Sequence, residues 1–404
     1  MPESMDLKVG ATGGPVSLVG CADYDLDGVR AAVRAALAPL GGMAAFVKPG
    51  ETIGLKPNLL LGSDPAQAII THPAVLAAVA LEVKEAGANP IMLESPGSGI
   101  IPSSKVLERL YRKVGYQDMA DRYGFSISLD TDWEGVAVPD GRKIKRVEMI
   151  KAALQVDGII NLPKFKTHAF MTFSGATKNL FGGIPGLTKV GYHGKFPERD
   201  KFAGMLLDVA GRVRPRLSVM DAIVAMEGHG PGTGGKPRKL GLVLAGADTV
   251  AMDAVCCGIA GFDPAAIPLL AEARNRGLWS GRVADIAVTG PAVADLALSD
   301  FQAPAKGVMS TGVSLPIIGD IGRAFLRSGF SPRPRPQVGP CTICGSCEQA
   351  CPGEAITMDK KARVARVDDD KCIRCYCCHE VCPNAAIELQ FTGAGRIMHR
   401  FGLV

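Results

Sequence analysis

The sequence predicts an α/β protein with a mainly parallel sheet flanked by helices, followed by a small, cysteine-dense α+β domain. Three observations predict it. Between residues 52 and 94, an apolar run, a helical repeat and a second apolar run follow one another. Each apolar run breaks into polar residues, Pro or Gly at its carboxyl end, which is the pattern of a βαβ unit and implies parallel pairing. Residues 156–163, Val-Asp-Gly-Ile-Ile-Asn-Leu-Pro, form a near-continuous apolar run, as a strand buried on both faces does. Finally, nine of the chain's 12 cysteines crowd into residues 341–383, in two runs of one spacing.

Composition bounds the reading. A chain of 404 residues suggests two or three domains. With 47% hydrophobic and 21% charged residues, a sizeable core can be buried. The 49 glycines and 28 prolines point to many tight turns rather than a helical bundle. A formal net charge of +5 is too mild to argue for nucleic acid or a membrane surface. Residues 1–14 carry no basic start followed by an apolar run, so no secretory signal is expected. No apolar stretch is long enough to span a bilayer, and free thiols call for a reducing compartment. A soluble cytoplasmic protein with no nucleic-acid partner and no membrane span is the expectation.

The elements follow in order. Residues 16–20 are a short apolar run, and residues 26–40 carry Val29, Val33, Ala36 and Leu37 at helical spacing. Residues 52–55 read as a strand ending in Lys56-Pro57-Asn58. Thr71-His72-Pro73 then opens a helix running to Ala86, with the proline in its first turn and Gly87 as its stop. Residues 90–94 are the next strand, breaking into Ser95-Pro96-Gly97-Ser98-Gly99. Helices are expected over 103–114, 147–154, 202–213 and 249–259, the last capped by Asp248 or Thr249. Strands are expected over 156–163, 217–220 and 240–245, and residues 164–200 read as a long loop-rich segment. Cys21, Cys256 and Cys257 lie in apolar surroundings and read as core. Residues 1–304 would form the α/β domain and 305–340 a connector. In that connector, 315–330 would be an amphipathic helix and Ser331-Pro-Arg-Pro-Arg-Pro336 a semi-rigid spacer. Residues 341–404 would form the last domain, with strands near 356–358, 364–367 and 387–389.

The cysteine runs read Cys341-x-x-Cys344-x-x-Cys347-x-x-x-Cys351-Pro and Cys372-x-x-Cys375-x-x-Cys378-x-x-x-Cys382-Pro. This is the spacing that holds 4Fe–4S clusters in bacterial two-cluster ferredoxins. Two-residue gaps let one tight loop present three thiolates to three iron corners, while the fourth cysteine points at the other cluster. The expected ligands are Cys341, Cys344, Cys347 and Cys382 for one cluster, and Cys372, Cys375, Cys378 and Cys351 for the other. Cys377 breaks the register and reads as a non-ligand. The alternative is a pair of structural zinc sites, which seldom use an interlocked three-plus-one pattern.

In the α/β domain, Asn161-Leu-Pro-Lys164-Phe-Lys166-Thr-His168 follows directly on a buried strand. Ligands of open α/β sheets bind at the carboxyl ends of strands. Lys164, Lys166 and His168 therefore stand where a site is expected, with Lys178, Asn179 and His193 further along the same basic segment. Such a segment suits a carboxylate, a phosphate or another oxyanion. Lys56-Pro57-Asn58 and Glu94-Ser95 end two other strands and face the same crevice or are simple turns. Gly228-His-Gly-Pro-Gly-Thr-Gly-Gly235 is not a dinucleotide fingerprint, because Pro237 and a new strand follow where a helix should open. It reads as a flexible lid, with His229 a proton donor. No phosphate-binding Gly-x-x-x-x-Gly-Lys-Ser/Thr run exists.

The stretches GLKPNLL, THPAV, ESPGSG, INLPKFKTHAFMTFSGATKNLFGG and VMDAIVAMEGHGPGTG together resemble the family called domain of unknown function 362, over roughly residues 15–295. Members are often described as iron–sulfur centre proteins, and a ferredoxin domain fused behind is a common arrangement. The resemblance implies that Lys164, Lys166, His168, Lys178 and Asn179 fall in the family's most recognisable stretch. The family is also distantly similar to lactate-racemase-like α/β proteins. The function expected is an iron–sulfur oxidoreductase. It would pass low-potential electrons, at roughly −400 mV, from a soluble donor such as ferredoxin through two 4Fe–4S clusters to a small anionic or carbonyl-containing substrate. No flavin motif is visible, so direct transfer from a cluster and transfer through a flavin bound without a signature both stay open. The alternatives are an electron-transfer subunit docking a protein partner, and an isomerase with a redox-sensing ferredoxin domain.

Overall fold

Apolar runs separated by polar strand ends assemble here into one sheet. The computed structural model of the chain describes residues 14–97, 100, 102–186, 188–305, 331–392 and 396–397. Strands β1 (Val16–Gly20), β2 (Thr52–Pro57), β3 (Asn89–Met92), β4 (Ser126–Ile127), β7 (Gly158–Leu162), β10 (Leu217–Gly228), β11 (Gly235–Gly246) and β12 (Val288–Thr289) lie in the order β12-β1-β11-β10-β7-β2-β3-β4. Pairing is parallel from β10 through β7, β2 and β3 to β4, and between β1 and β12. It is antiparallel on either side of β11. Two further strands, β8 (Lys164–His168) and β9 (Thr172–Ser174), branch from β10. Separately, β5 (Trp133–Ala137) and β6 (Arg146–Ile150) form a hairpin.

The sheet is covered on both faces because its strands alternate between two cores. Along β11, Leu242 and Leu244 enter one core while Val243 and Ala245 enter the other, the period of two that a pleated strand imposes. Helices α1 (Leu26–Leu37) and α2 (Pro73–Glu85) cover the second core. The Asp25 carboxylate accepts from the Gly28 N–H and His72 Nδ1 from the Ala74 N–H, so each helix start is capped by the residue before it. α3 (Ser104–Lys113), capped by the Ser103 hydroxyl, is followed by α4 (Tyr116–Tyr123). On the other face, α8 (Arg199–Val213), α9 (Thr249–Ile259) and α10 (Pro268–Asn275) close the first core. Cys256 and Cys257 are fully buried in α9, and Cys21 is buried in the other core.

Three sequence expectations for the α/β domain are corrected. Residues 147–154 are not one helix: Val147 and Met149 point inward at strand period within β6, and only α5 (Lys151–Leu154) is helical. Residues 164–200 are not loop-rich. They contain β8, β9, α6 (Ala176–Asn179), α7 (Thr188–Lys195) and the start of α8, and much of their polar content is buried. The glycine-rich stretch 228–235 is not a lid. It is the tight turn of the long β10–β11 hairpin, with a cis Gly230–Pro231 bond, and it is clamped against the C-terminal domain.

In that domain β14 (Ile356–Asp359) and β15 (Val364–Val367) pair as a hairpin. The proline-rich spacer is instead a strand, β13 (Arg333–Pro336), paired antiparallel with β16 (Ile387–Gln390), so residues 387–389 close a separate two-stranded ladder. Proline is tolerated on so short a ladder because its missing N–H can face away from the partner. Arg333 and Arg335 both grip Asp369, at 2.6 and 2.7 Å. The helix expected over 315–330 lies outside the described residues.

Candidate functional site

A polar cavity opens at the carboxyl ends of β2, β3 and β7. A ladder of asparagines sets its floor. Asn161 at the end of β7 donates to Ser218 Oγ of β10, at 3.1 Å, and to the Ala176 carbonyl, at 3.0 Å. Asn179 donates to Asn161 Oδ1, at 2.8 Å, and Asn58 donates to Asn179 Oδ1, at 3.0 Å. The short helix α6, which carries Lys178 and Asn179, is held in place by Asp253 of α9. That carboxylate accepts from the Ala176 and Thr177 N–H groups, at 2.5 and 3.0 Å.

Four lysines and one glutamate line the cavity. Lys56 pairs with Glu94 at 2.7 Å. Lys166 donates to Asn58 Oδ1, at 2.7 Å, and to the Ile69 carbonyl, at 2.8 Å. Lys189 donates to the carbonyls of Ser95 and Pro96, at 2.5 and 2.8 Å. Lys178 Nζ lies 5.8 Å from the Phe181 ring centroid, and among the described residues no hydrogen bond or ion pair holds it. Burial disfavours each buried cation. It pulls Lys166 down to about 7, with the Lys178 charge adding to the effect. It pulls Lys189 to about 7 against the opposing Glu94, and lowers Lys178 against Glu380. Gly182 sits directly beside Glu94 and Lys56, where a Cβ would collide with both side chains.

The candidates named from sequence separate into three groups. Lys166, Lys178 and Asn179 line the cavity. Lys164 does not: its Nζ meets Asp221 at 2.8 Å and the Tyr24 hydroxyl at 2.9 Å in a closed, buried cluster. The histidines lie elsewhere. His193 on α7 stacks on Phe202, with ring centroids 4.3 Å apart, and burial drives it down to about 3. His229 forms part of the hairpin turn, and its carbonyl lies 2.8 Å from His379 Nε2. His168 Nδ1 accepts from the Phe170 and Met171 N–H groups, at 3.1 and 3.3 Å, which places the ring proton on Nε2. That Nε2 stands 3.3 Å from Glu380 Oε1 but out of line for a hydrogen bond.

Glu380 and Lys189 are the functional groups sequence reasoning missed. Lys189 could have been suspected as one more lysine of the basic segment. Glu380 carried no signal, because it belongs to the second cysteine run. It stands on the short Cys377–Val381 helix, and burial raises its carboxyl to about 7 against the opposing Lys178 and Lys166. The C-terminal domain thus brings a carboxyl into the electrostatic reach of two of the cavity's lysines, while the cavity lining itself comes from the α/β domain. The contact is tight: a Cβ on Gly232 would lie 2.5 Å from the Glu380 carbonyl. The Thr233 hydroxyl donates to the Cys382 carbonyl, at 2.7 Å, and accepts from the Ala385 N–H, at 3.1 Å.

The cysteines of the two runs lie close to one another. Cys341, Cys344, Cys347 and Cys382 line one cavity together with Met358, Ala365 and Ile387. Burial pushes Cys347 up to about 12, and Cys382, Cys344 and Cys341 add to the effect. Burial likewise raises Cys378, with Cys375, Cys372 and Cys351 among its neighbours. Thiols crowded until their thiolates repel suit a cationic iron–sulfur group, which relieves that cost on binding. The Ala355 and Ala386 N–H groups donate to the sulfurs of Cys351 and Cys382, both at 3.2 Å, matched positions four residues past each run.

Comparison with known proteins agrees with this division. Residues 53–258 match a family described as a domain of unknown function, DUF362, and residues 340–386 match a 4Fe–4S dicluster domain. A thylakoid-associated protein of Synechocystis sp. is 40% identical over 266 residues, which span 65% of this chain and 79% of that one. The lactate racemase apoprotein from Thermoanaerobacterium thermosaccharolyticum superposes with a TM-score of 0.40 at 15% identity, over 61% of this chain and 57% of that one. Among the described residues no helix is long and apolar enough to cross a membrane.

Proposed function

The chain belongs to the DUF362 family and ends in a 4Fe–4S dicluster domain, and from that premise we propose an iron–sulfur oxidoreductase that delivers electrons to a small anionic or carbonyl-containing substrate in the lysine cavity. Cys341, Cys344, Cys347 and Cys382 would hold one cluster, and Cys372, Cys375, Cys378 and Cys351 the other. Bound there, the clusters supply one-electron steps at low potential, and a pair of them can store the two electrons that reduction of a carbonyl or double bond needs.

The observation that carries the reading is the Cys377–Val381 helix. It begins among the thiols of the second run and within one turn carries Glu380 close enough to Lys178 and Lys166 for their charges to act on it. An electron leaving that side of the domain arrives where Lys166 and Lys178 already favour negative charge. The lysines bind and orient the anion and stabilise the charge that builds on it. The His168 Nε2–H, fixed by its two backbone donors, and Glu380 stand beside them as groups able to hold a proton. Burial of the helix against the hairpin excludes bulk water from this side. A soluble one-electron carrier such as a ferredoxin would act at the exposed edge near Cys344, in the reducing interior of a cell.

Anaerobic purification with iron and sulfide analysis tests the reading, followed by EPR of the dithionite-reduced protein titrated with anionic and carbonyl compounds. About eight irons per chain, with reoxidation by a small molecule that is lost in Lys166→Ala, is the expected result. Reoxidation only by another protein, unchanged in Lys166→Ala, would replace the reductase with an electron carrier.

A further inference from the structure

We propose that the lysine cavity is a binding site for a short dicarboxylate, with one carboxylate at Lys166 and Lys178, the other at Ser95, and the carbon body against Leu60 and Phe181. This rests on the cavity being the substrate site of the reading above and names the class of molecule it takes.

Charge is the first argument. Glu94 neutralises Lys56 at 2.7 Å. That leaves Lys166, Lys178 and Lys189 as the further basic side chains of one cavity. An anion bound among them favours their charged forms, and a dianion meets more of that charge than a monoanion does. A neutral carbonyl compound would meet none of it.

Unused bonding capacity is the second argument. Lys178 Nζ has three donors, and among the described residues its only contact beyond electrostatic neighbours is the Phe181 ring. Ser95 lines the same cavity, is 4% exposed, and among the described residues its hydroxyl has no partner. A buried hydroxyl left unpaired costs free energy unless a ligand meets it, and Lys178 keeps donors to offer. The two rise from different elements: Lys178 from α6, whereas Ser95 follows β3. A ligand with an acidic group at each end has a partner for each of them. The third argument is the wall between them. Leu59, Leu60 and Phe181 are apolar and line the same cavity, so a carbon spacer loses no hydrogen bonds by lying there.

Isothermal titration of the oxidised, cluster-loaded full chain at fixed ionic strength tests this, with malonate, succinate, orthophosphate and acetate as probes. At least one dicarboxylate should bind tenfold or more tightly than acetate and than orthophosphate. Lys178→Met should weaken that dicarboxylate at least tenfold, and Ser95→Ala several-fold. Lys178→Arg, which keeps the charge and guards against a simple folding defect, should retain most of the affinity. Acetate binding as well as the dicarboxylates would overturn the proposal, and so would indifference to Lys178→Met. Orthophosphate binding tightest would overturn the carbon spacer. The oxidised protein needs no electron donor. Dicarboxylate binding without any reoxidation of the reduced clusters would therefore sink the redox reading and leave the binding site standing.

Discussion

The two cysteine runs share one spacing and live in opposite surroundings. In the first, Cys344 is exposed, Cys341 is partly so, and the intervening Thr342, Glu348 and Gln349 face solvent. In the second, every residue from 374 to 382 is buried. The local backbone is nevertheless repeated: Ile343 and Arg374 share a left-handed φ, at 55° and 60°, and so do Glu354 and Ala385, at 49° and 51°. At the remaining matched position Gly345 has φ 78° and Tyr376 has φ 64°. Glycine takes that conformation without strain, while tyrosine does not. Tyr376 adopts it because its ring is buried in the core of the α/β domain and its hydroxyl donates to the Pro332 carbonyl at 3.0 Å. Repetition of ligand geometry fixes the loops. Docking decides which copy becomes the inner one.

The largest test of that difference is a pair of ligand replacements. Cys344→Ser should disturb the outer cluster and leave the hairpin turn 228–235 as protected from amide exchange as before. Cys378→Ser should disturb the inner cluster and speed exchange across the turn at least tenfold, because its helix carries the contact to Gly232 and leads into the residues that hold Thr233. Equal effects of the two would erase the distinction between inner and outer runs. Next in size is Tyr376→Gly. Relief of about 1–2 kcal/mol of backbone strain is outweighed by about 3–5 kcal/mol for a lost buried aromatic ring, so the loaded protein should be destabilised by about 1–4 kcal/mol. Tyr376→Ala should be worse than Tyr376→Gly, whereas Gly345→Ala, with open space around its new Cβ, should cost only about 1 kcal/mol. Paired thermal melts read all three.

Smaller effects sharpen the site beside the inner run. Anion binding requires cationic Lys166, which burial and Lys178 hold at about 7 while Glu380 and Glu94 oppose and Lys164 adds to the fall. Affinity should be full below pH 7 and fall by up to tenfold per unit above it, as seen by titration between pH 6 and 9. The stability sign follows from the same lowering. Folding depresses Lys166 from its ordinary value of about 10.4, so its contribution is complete above that pH and is lost as the pH falls toward 7. Smallest of all, Thr233→Val removes the bond to the Cys382 carbonyl and should loosen docking by about 1 kcal/mol. Amide exchange at the hairpin turn would register it.

Much of the fold was legible because its causes are local. The β2–α2–β3 unit announces itself by period and by Pro73 in the first helical turn. The cysteine spacing announces a cluster-binding domain because three thiols must meet one cube from one loop. Reading failed where polarity was taken for a loop. Residues 164–200 read as a loop-rich basic segment, yet Lys166, Lys189 and Lys164 each find buried acceptors from residues distant in sequence. Residues 147–154 look helical because their apolar positions suit either period, and pairing with β5 chose the strand.

The sequence by itself determined the sheet, its helices, the cysteine loops and the neighbourhood of Lys166 and Lys178, since these depend on periodicity, turn chemistry and ligand spacing within a few residues. Tertiary structure decided that Lys164 is neutralised by Asp221 while Lys178 stays open to a ligand. It also decided that the proline-rich stretch pairs as a strand, and that Glu380 of another domain comes near Lys166 and Lys178. Those outcomes rest on which charges come within a few ångströms after folding, and no spacing along the chain encodes that distance.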